Sequence, residues 1–279
     1  MVDSTVQLLI GITFAAALVN GAIGYGFSSI TVPLALLFIS NRVLNPALVV
    51  IEVAVNLYVV FVNRRGLTAV ARRVWPVLVG LLPAVVLGSL WLRSANPVWI
   101  KLATYAGLFP FIALQVAGFR RPIRAGRFAS GVVGFGVGAL YSSTTISGPP
   151  IALLLNNEGL EQGEFKASLG LIRTVESVAT ALTYVALGLV SDASVRLAGW
   201  VAPGVVVGVL LGHVVAKRLN AEVFRRACMG ADLLLVSFGL SRVLIELGVQ
   251  PVLAHAFFAA ASLADALLLY RYFSERRRV

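Results

Sequence analysis

Charged residues are scarce in this chain of 279 amino acids, in which Asp, Glu, Lys and Arg together make up 13%. That is about half the usual share of a globular domain, and it is too little to cover the surface of a water-soluble core. Hydrophobic residues make up 59%. The composition therefore excludes a soluble enzyme, a disordered tail and a fibrous chain, and it predicts an all-α polytopic membrane protein.

Cysteine and recognisable cofactor motifs are almost absent. The single Cys228 cannot form an intrachain disulfide, and the chain has neither a CxxC motif nor a His-rich cluster that would predict a metal site. It also has no GxxxxGK[ST] loop for nucleotide binding, which argues against primary pumping by this chain. We therefore expect no metal and no cofactor.

The net charge of +11 is best explained by membrane topology. The Lys and Arg residues collect near 64–73, 120–127, 217–226 and 271–278, as they do in cytoplasmic loops. We therefore expect a multi-pass protein of the cytoplasmic (inner) membrane with an external N-terminus, a cytoplasmic C-terminus and no nucleic-acid partner. The alternative is that the clusters bind anionic lipid or nucleic acid. Seven apolar runs are long enough to cross a bilayer, at 45–63, 74–92, 98–117, 165–189, 196–216, 223–247 and 251–272.

Two further apolar stretches, 5–40 and 127–157, are interrupted and resemble each other. Each has a glycine cluster, a hydroxyl-rich segment, a proline and a short apolar run, and three spans follow each stretch. Because three is odd, the second half enters the membrane from the opposite side. We therefore predict two inverted-topology repeats. The predicted parts are 1–118 and 119–248, each a broken, re-entrant-like hairpin plus three transmembrane helices, and 249–279, an extra C-terminal transmembrane helix with a basic cytoplasmic tail.

The interrupted stretches are the predicted binding region. Arms such as 6–20 and 29–40 would be roughly 22 and 18 Å long as helices, short of a hydrocarbon core of about 30 Å. Pro33 and Pro149 suit the first turn of a helix, with hydroxyl residues such as Ser29 and Thr31, or Thr145 and Ser147, as N-caps just before them. Helix N-termini at the membrane centre would attract an anion. The alternative is that the glycines only allow tight helix packing.

The chain resembles a known family in its motifs Gly24-Tyr-Gly26…Pro33 and Gly138…Ser147-Gly148-Pro149-Pro150, and in the glycine pairs Gly80/Gly88 and Gly204/Gly212. These are similar to the sulfite exporter TauE/SafE family, also called the 4-toluene sulfonate uptake permease family, over roughly 5–247. The resemblance implies a secondary transporter of small organosulfur anions such as sulfite, sulfoacetate or other sulfonates. Its expected partners are that anion and the lipid bilayer, with a homodimer as one oligomeric state. The alternatives are a passive anion channel and a membrane-embedded hydrolase, although we expect no enzyme.

Ionisable residues deep in the spans are further candidates. Arg173 offers a planar fork that matches a sulfonate; the alternative is an internal pair with Glu176, its i+3 neighbour. Glu52 is a candidate for carrying a coupling proton, or a structural acid. The predicted substrate-binding residues are Gly24, Gly26, Ser28, Ser29, Thr31, Ser142, Ser143, Thr144, Thr145, Ser147, Gly148 and Arg173. The predicted coupling or supporting residues are Glu52, Asn56, Glu176, Tyr25 and Tyr141.

Overall fold

The computed structural model describes residues 4–24, 26–64, 67–118, 126–156, 160, 162–216 and 221–276. Within these ranges the chain has no strand, and it forms eleven helices. They are α1 (Ser4–Ile23), α2 (Phe27–Ala35), α3 (Asn41–Val62), α4 (Leu67–Ser94), α5 (Pro97–Val116), α6 (Arg127–Thr144), α7 (Gly148–Asn156), α8 (Gln162–Ala186), α9 (Asp192–Ala216), α10 (Ala221–Glu246) and α11 (Pro251–Arg276). Some predicted features lie outside the described residues, namely Tyr25 and the loop residues Arg65, Arg120, Arg121, Arg124, Lys217, Arg218, Arg277 and Arg278.

Seven of the helices are long and apolar enough to cross a bilayer, which confirms a multi-pass membrane protein. They are α1, α3, α4, α5, α9, α10 and α11. The predicted span at 165–189 corresponds to α8, which has 25 residues but is not one of the seven. The middle of α8 carries the buried ionisable residues Arg173 and Glu176.

The distribution of polarity is reversed relative to a soluble protein. Large apolar side chains point outward, with Leu182 67% and Tyr270 72% exposed, whereas Glu52 and Glu176 are fully buried. Such an apolar exterior is stable in a bilayer, because it faces hydrocarbon and not water. The buried charges therefore lie in the interior of the helix assembly rather than against lipid.

Both predicted interruptions are confirmed. The first stretch divides between α1 and α2 at Gly24 and Gly26, whose φ angles are 88° and 108°. Glycine tolerates these left-handed conformations because it has no Cβ. The second stretch divides between α6 and α7 at Thr145, which also has a positive φ, of 60°. We call α1 with α2 the first hairpin, and α6 with α7 the second hairpin.

Two details of the first hairpin differ from expectation. The 20 residues of α1 span about 30 Å, so the prediction that both arms are too short to cross is wrong for α1. Pro33 is also not in the first turn of α2, which begins at Phe27 with Gly26 as its N-cap. Ser29 and Thr31 therefore lie inside α2 instead of capping it. In the second hairpin, Pro149 does lie in the first turn of α7, which begins at Gly148 directly after Ser147.

Glycine pairs let helices from the two predicted halves pack closely, α4 against α6 and α9 against α1. A Cβ added at Gly80 would lie 1.9 Å from the carbonyl oxygen of Gly131, and one at Gly212 would lie 2.1 Å from that of Leu18. Gly204 is different, since its nearest neighbour would be at an ordinary 3.7 Å. Gly80, Gly88 and Gly212 therefore permit contacts that any larger residue would block, whereas Gly204 does not.

The glycine clusters of the hairpins serve two purposes. Added Cβ atoms at Gly134 and Gly138 would come within 2.1 and 2.6 Å of carbonyl oxygens of α4, and one at Gly21 would come within 2.2 Å of a carbonyl oxygen of α9. Gly24 has no atom within 4 Å of its added Cβ. The packing interpretation thus holds for Gly21, Gly134 and Gly138, whereas Gly24 borders open space.

Candidate functional site

A buried carboxylate on α3 joins the two hairpins. Glu52 Oε1 accepts a hydrogen bond from Arg173 Nη2 of α8 at 2.8 Å, and also one from Ser28 Oγ of α2. Its Oε2 accepts from the hydroxyl of Tyr141 on α6 at 2.6 Å. A buried ion pair is tolerated when further hydrogen bonds satisfy its remaining lone pairs, and both oxygens of Glu52 are satisfied in this way.

A second carboxylate holds the second hairpin. Ser147 Oγ, directly before α7, donates to Glu176 Oε2 of α8 at 2.5 Å. The other oxygen of Glu176 is buried without a hydrogen-bond partner. Nearby, Asn56 Nδ2 of α3 donates to the carbonyl oxygen of Arg173 at 3.2 Å and to Ser177 Oγ at 3.3 Å. α3 and α8 are therefore tied together at the level of both hairpins.

Arg173 is the cation of this network. Its side chain is 4% exposed and forms its ion pair with Glu52, so the alternative of an internal pair with Glu176 is not what the structure contains. Its Nε is buried and has no hydrogen-bond partner. A guanidinium has five donor hydrogens, and a buried donor without an acceptor is costly. The open Nε therefore marks a position where an acceptor would be stabilised.

A third carboxylate contacts the first hairpin, and sequence analysis did not include it in the site. Ser29 Oγ donates to Asp232 Oδ2 of α10 at 2.8 Å, while Asp232 Oδ1 is buried without a partner. The signal that could have identified Asp232 is an acidic residue in the middle of an apolar run. Its contact with Ser29 joins residues 203 positions apart, and one sequence does not reveal such a pairing.

The two hairpin helices offer unequal sets of backbone donors. In α2 the first bond to a carbonyl of the preceding turn is from Ile30 N–H to Gly26 O, at 3.2 Å. The N–H groups of Phe27 to Ser29 therefore have no partner within the helix. In α7 the second and third residues are Pro149 and Pro150, and proline has no N–H. To an anion, α7 therefore offers the positive end of its dipole and the nearby Ser147 hydroxyl, but few backbone N–H groups.

The structure brings five of the predicted side chains into one network, namely Ser28, Glu52, Asn56, Tyr141 and Arg173. It also joins Ser147 to Glu176, which lies three residues after Arg173 on α8. It does not bring in the hydroxyls at the end of α6. Those of Ser142, Ser143 and Thr144 donate to carbonyls one turn back in α6, and that of Thr145 donates to the carbonyl of Thr144. Thr31 Oγ1 is buried without a partner. Gly26 and Gly148 lie at the starts of α2 and α7.

A small cleft reaches the first hairpin from one side. It is lined by the ends of α1, α3 and α9 and by the start of α8, with Asn20 and Gly24 in its depth and Lys166 and His213 among its exposed residues. Asn20 Oδ1 is buried without a hydrogen-bond partner. The cleft thus leads from basic side chains at the surface to the open space beside Gly24.

At their opposite ends, α3 and α8 are both hydrogen-bonded to the end of α6. The hydroxyl of Tyr184, near the end of α8, donates to the carbonyl oxygen of Ser142 at 2.6 Å. Asn45 Nδ2, near the start of α3, donates to the carbonyl oxygen of Ser143 at 2.7 Å. Both Tyr184 and Asn45 are fully buried. These two bonds hold the end of α6 against α3 and α8 on the side away from the cleft.

Comparison with known proteins gives one match. The family model described as sulfite exporter TauE/SafE matches residues 9–239 of the chain. No curated protein matches the chain. No solved structure matches it either.

Proposed function

The chain belongs to the sulfite exporter TauE/SafE family, and from this premise we propose that it is a secondary transporter of small organosulfur anions. Sulfite, sulfoacetate and other sulfonates are the proposed substrates, and the cytoplasmic membrane is the proposed location. The family is one of transporters, so the expectation that the chain is not an enzyme is confirmed. Its setting is the lipid bilayer.

The observation that carries the proposal is the open Nε of Arg173 between the two hairpins. Sulfite and sulfonates present several oxygens on one centre, which suit the planar donor fork of arginine. The amides at the start of α2 and the positive end of its dipole add to the attraction. The anion is proposed to bind at Arg173, beside Ser28 and Ser147, with Glu52 holding the guanidinium in place.

Alternating access between two inverted halves is the proposed mechanism, with 1–118 and 119–248 as the halves and α11 outside them. The helix contacts support it, because corresponding helices of the two proposed halves make corresponding contacts. α1 packs on α9 as α6 packs on α4, and α2 packs on α10 as α7 packs on α5. α3 and α8, which carry the network, pack on each other. Each half would rock against the other around a fixed central site.

The cleft on one side and the hydrogen bonds on the other support the same mechanism. With the proposed external N-terminus, the cleft beside Lys166 and His213 opens to the cytoplasm, and the hydrogen-bonded side at Tyr184 and Asn45 faces outward. This arrangement suits the inward-facing state of a carrier. Opening of the Tyr184 side with closure of the cleft would give the outward-facing state.

Ligand-induced thermal stabilisation of the purified protein tests the proposal. We expect sulfite or a sulfonate to raise the unfolding temperature, because a ligand that binds only the folded state stabilises it. Sulfate, taurine and carboxylates are compared in the same series. Arg173→Ala should lose the stabilisation, whereas Arg196→Ala, at an exposed position near the start of α9, should keep it.

Transport by vesicles containing the protein separates a carrier from a pore. Labelled sulfonate should exchange against unlabelled sulfonate in a saturable way, whereas ohmic sulfonate currents would favour the passive channel. In the thermal-stability series, stabilisation by cations alone would contradict the substrate class.

A further inference from the structure

The centre of the molecule contains more acid than base. Ser28 donates to Glu52, Ser147 donates to Glu176, and Arg173 forms its ion pair with Glu52. Within the described part of the chain, no salt bridge reaches Glu176. One of the two carboxylates on α3 and α8 is therefore neutralised by arginine and the other is not.

Glu176 is fully buried, and its Oε1 has no hydrogen-bond partner. An ionised carboxylate in such a place is costly unless a cation accompanies it. A single hydroxyl, that of Ser147, gives partial compensation at most. The site therefore favours a carboxylate that binds a cation and becomes neutral. A proton is the smallest cation that fits.

The groups around Glu176 supply no other cation. α8 packs against α3, α4, α6 and α7. From these helices the titratable groups near Glu176 are Glu52 of α3 and Tyr141 of α6, with Arg173 on α8 itself. α7 has no titratable residue, and the arginines of α4, which are Arg72, Arg73 and Arg93, lie near its ends.

We infer that Glu176 binds the proton that accompanies each transported anion, an inference that rests on the proposed function. Arg173 and Glu176 are three residues apart on one face of α8. A proton on Oε1 turns Glu176 into a second donor for an oxygen of the anion held by Arg173. Without that proton the carboxylate repels the anion. The proton is taken from water on one side of the membrane and released on the other.

Glu52 and Asp232 are less suited to this role. Both oxygens of Glu52 are occupied by Arg173, Ser28 and Tyr141, so Glu52 acts as the ionised partner that positions the guanidinium. Asp232 does have a free oxygen, but it lies on α10, whereas Glu176 shares a helix face with Arg173.

Proton-driven accumulation in vesicles tests the inference. With the membrane potential clamped, an acidic exterior should drive labelled sulfoacetate into vesicles that contain the wild-type protein. One proton per anion allows up to about tenfold accumulation for each pH unit, in proportion to the proton gradient. We expect Glu176→Gln to abolish this drive and to make sulfoacetate exchange independent of pH.

Asp265→Asn is the matched control, because Asp265 is a buried acid on α11 that packs against Gly230, away from the hairpins. It should retain proton-driven accumulation. The inference is overturned if Glu176→Gln still accumulates sulfoacetate like the wild type, if Asp232→Asn alone loses the drive, or if a sodium gradient replaces the proton gradient.

Two measurements on the wild-type protein keep the test decisive if Glu176→Gln does not fold. In weakly buffered solution, at a pH high enough to ionise Glu176 in the anion-free protein, sulfoacetate should cause uptake of about one proton per bound anion; binding without proton uptake at every pH overturns the inference. If wild-type vesicles exchange sulfoacetate but ignore the pH gradient, only the inference fails. If they show no exchange of any sulfonate, the proposed function itself fails.

Discussion

Arg173 and Glu52 are buried charges that hold each other across the contact between α8 and α3, at 2.8 Å. Each charge would be costly to bury at this depth without the other. The hydroxyls of Ser28 and Tyr141 complete the shell of Glu52. The network can therefore be tested by removing one charge at a time.

Glu52→Gln leaves Arg173 without its counter-ion in the interior. We expect the free energy of unfolding to fall by about 3–5 kcal/mol, the usual cost of breaking a buried pair, as measured by denaturant unfolding in detergent. The control is Glu246→Gln, which removes an exposed pair with Lys101 at 3.4 Å. That change should cost less than about 1 kcal/mol, and equal losses for the two variants would contradict the account.

Sequence analysis could identify Arg173, Glu52 and Glu176 because ionisable residues in apolar runs are rare and costly. It could not assign the partner of Arg173. Spacing along one helix favours Glu176, whereas the observed partner, Glu52, is 121 positions away. Such a pairing depends on how α3 packs against α8, which no local pattern encodes. The Ser29–Asp232 contact was missed for the same reason.

The interrupted hairpins are the elements that position the site, and their breaks follow from local chemistry. Gly24 and Gly26 adopt positive φ angles that other residues rarely adopt, so these breaks could be predicted from sequence. The start of α2 could not. Pro33 suggested a helix start near itself, but left-handed Gly26 lets the helix begin at Phe27, and proline is accommodated as its seventh residue.

At the scale of elements, α6 offers a matched test of close helix packing. Gly134→Ala would place a Cβ 2.1 Å from the carbonyl oxygen of Val77 on α4. We expect a loss of about 1–3 kcal/mol in stability, typical of overpacking, and a lower yield of folded protein. Gly136→Ala, on the same helix with no atom within 4 Å of the new Cβ, should be neutral or gain up to about 1 kcal/mol. Equal behaviour of the two variants would show that α4 and α6 do not pack as described.

At the scale of the whole molecule, helices of the two predicted halves pack against each other. α4 lies along α6 and α9 lies along α1, so neither hairpin is surrounded by its own half alone. Sequence analysis predicted two similar halves from the repeated glycine and proline pattern. The exchange of partners between the halves could not be predicted, because it depends on long-range packing of Gly80 and Gly212 against opposite hairpins.

Residues of both hairpins bond to the carboxylates near Arg173, with Ser28 and Tyr141 on Glu52 and Ser147 on Glu176. The central claim is that one anion is held there, where the two predicted halves meet. Locating a bound anion tests that claim most directly. Crystals grown with selenite, a heavier analogue of sulfite, would reveal it by anomalous scattering from selenium. We expect a selenium peak within about 4 Å of Arg173 Nε, at hydrogen-bonding reach through a selenite oxygen, beside Ser28 and Ser147. Selenium peaks confined to basic residues at the helix ends, with none at Arg173, would contradict the account.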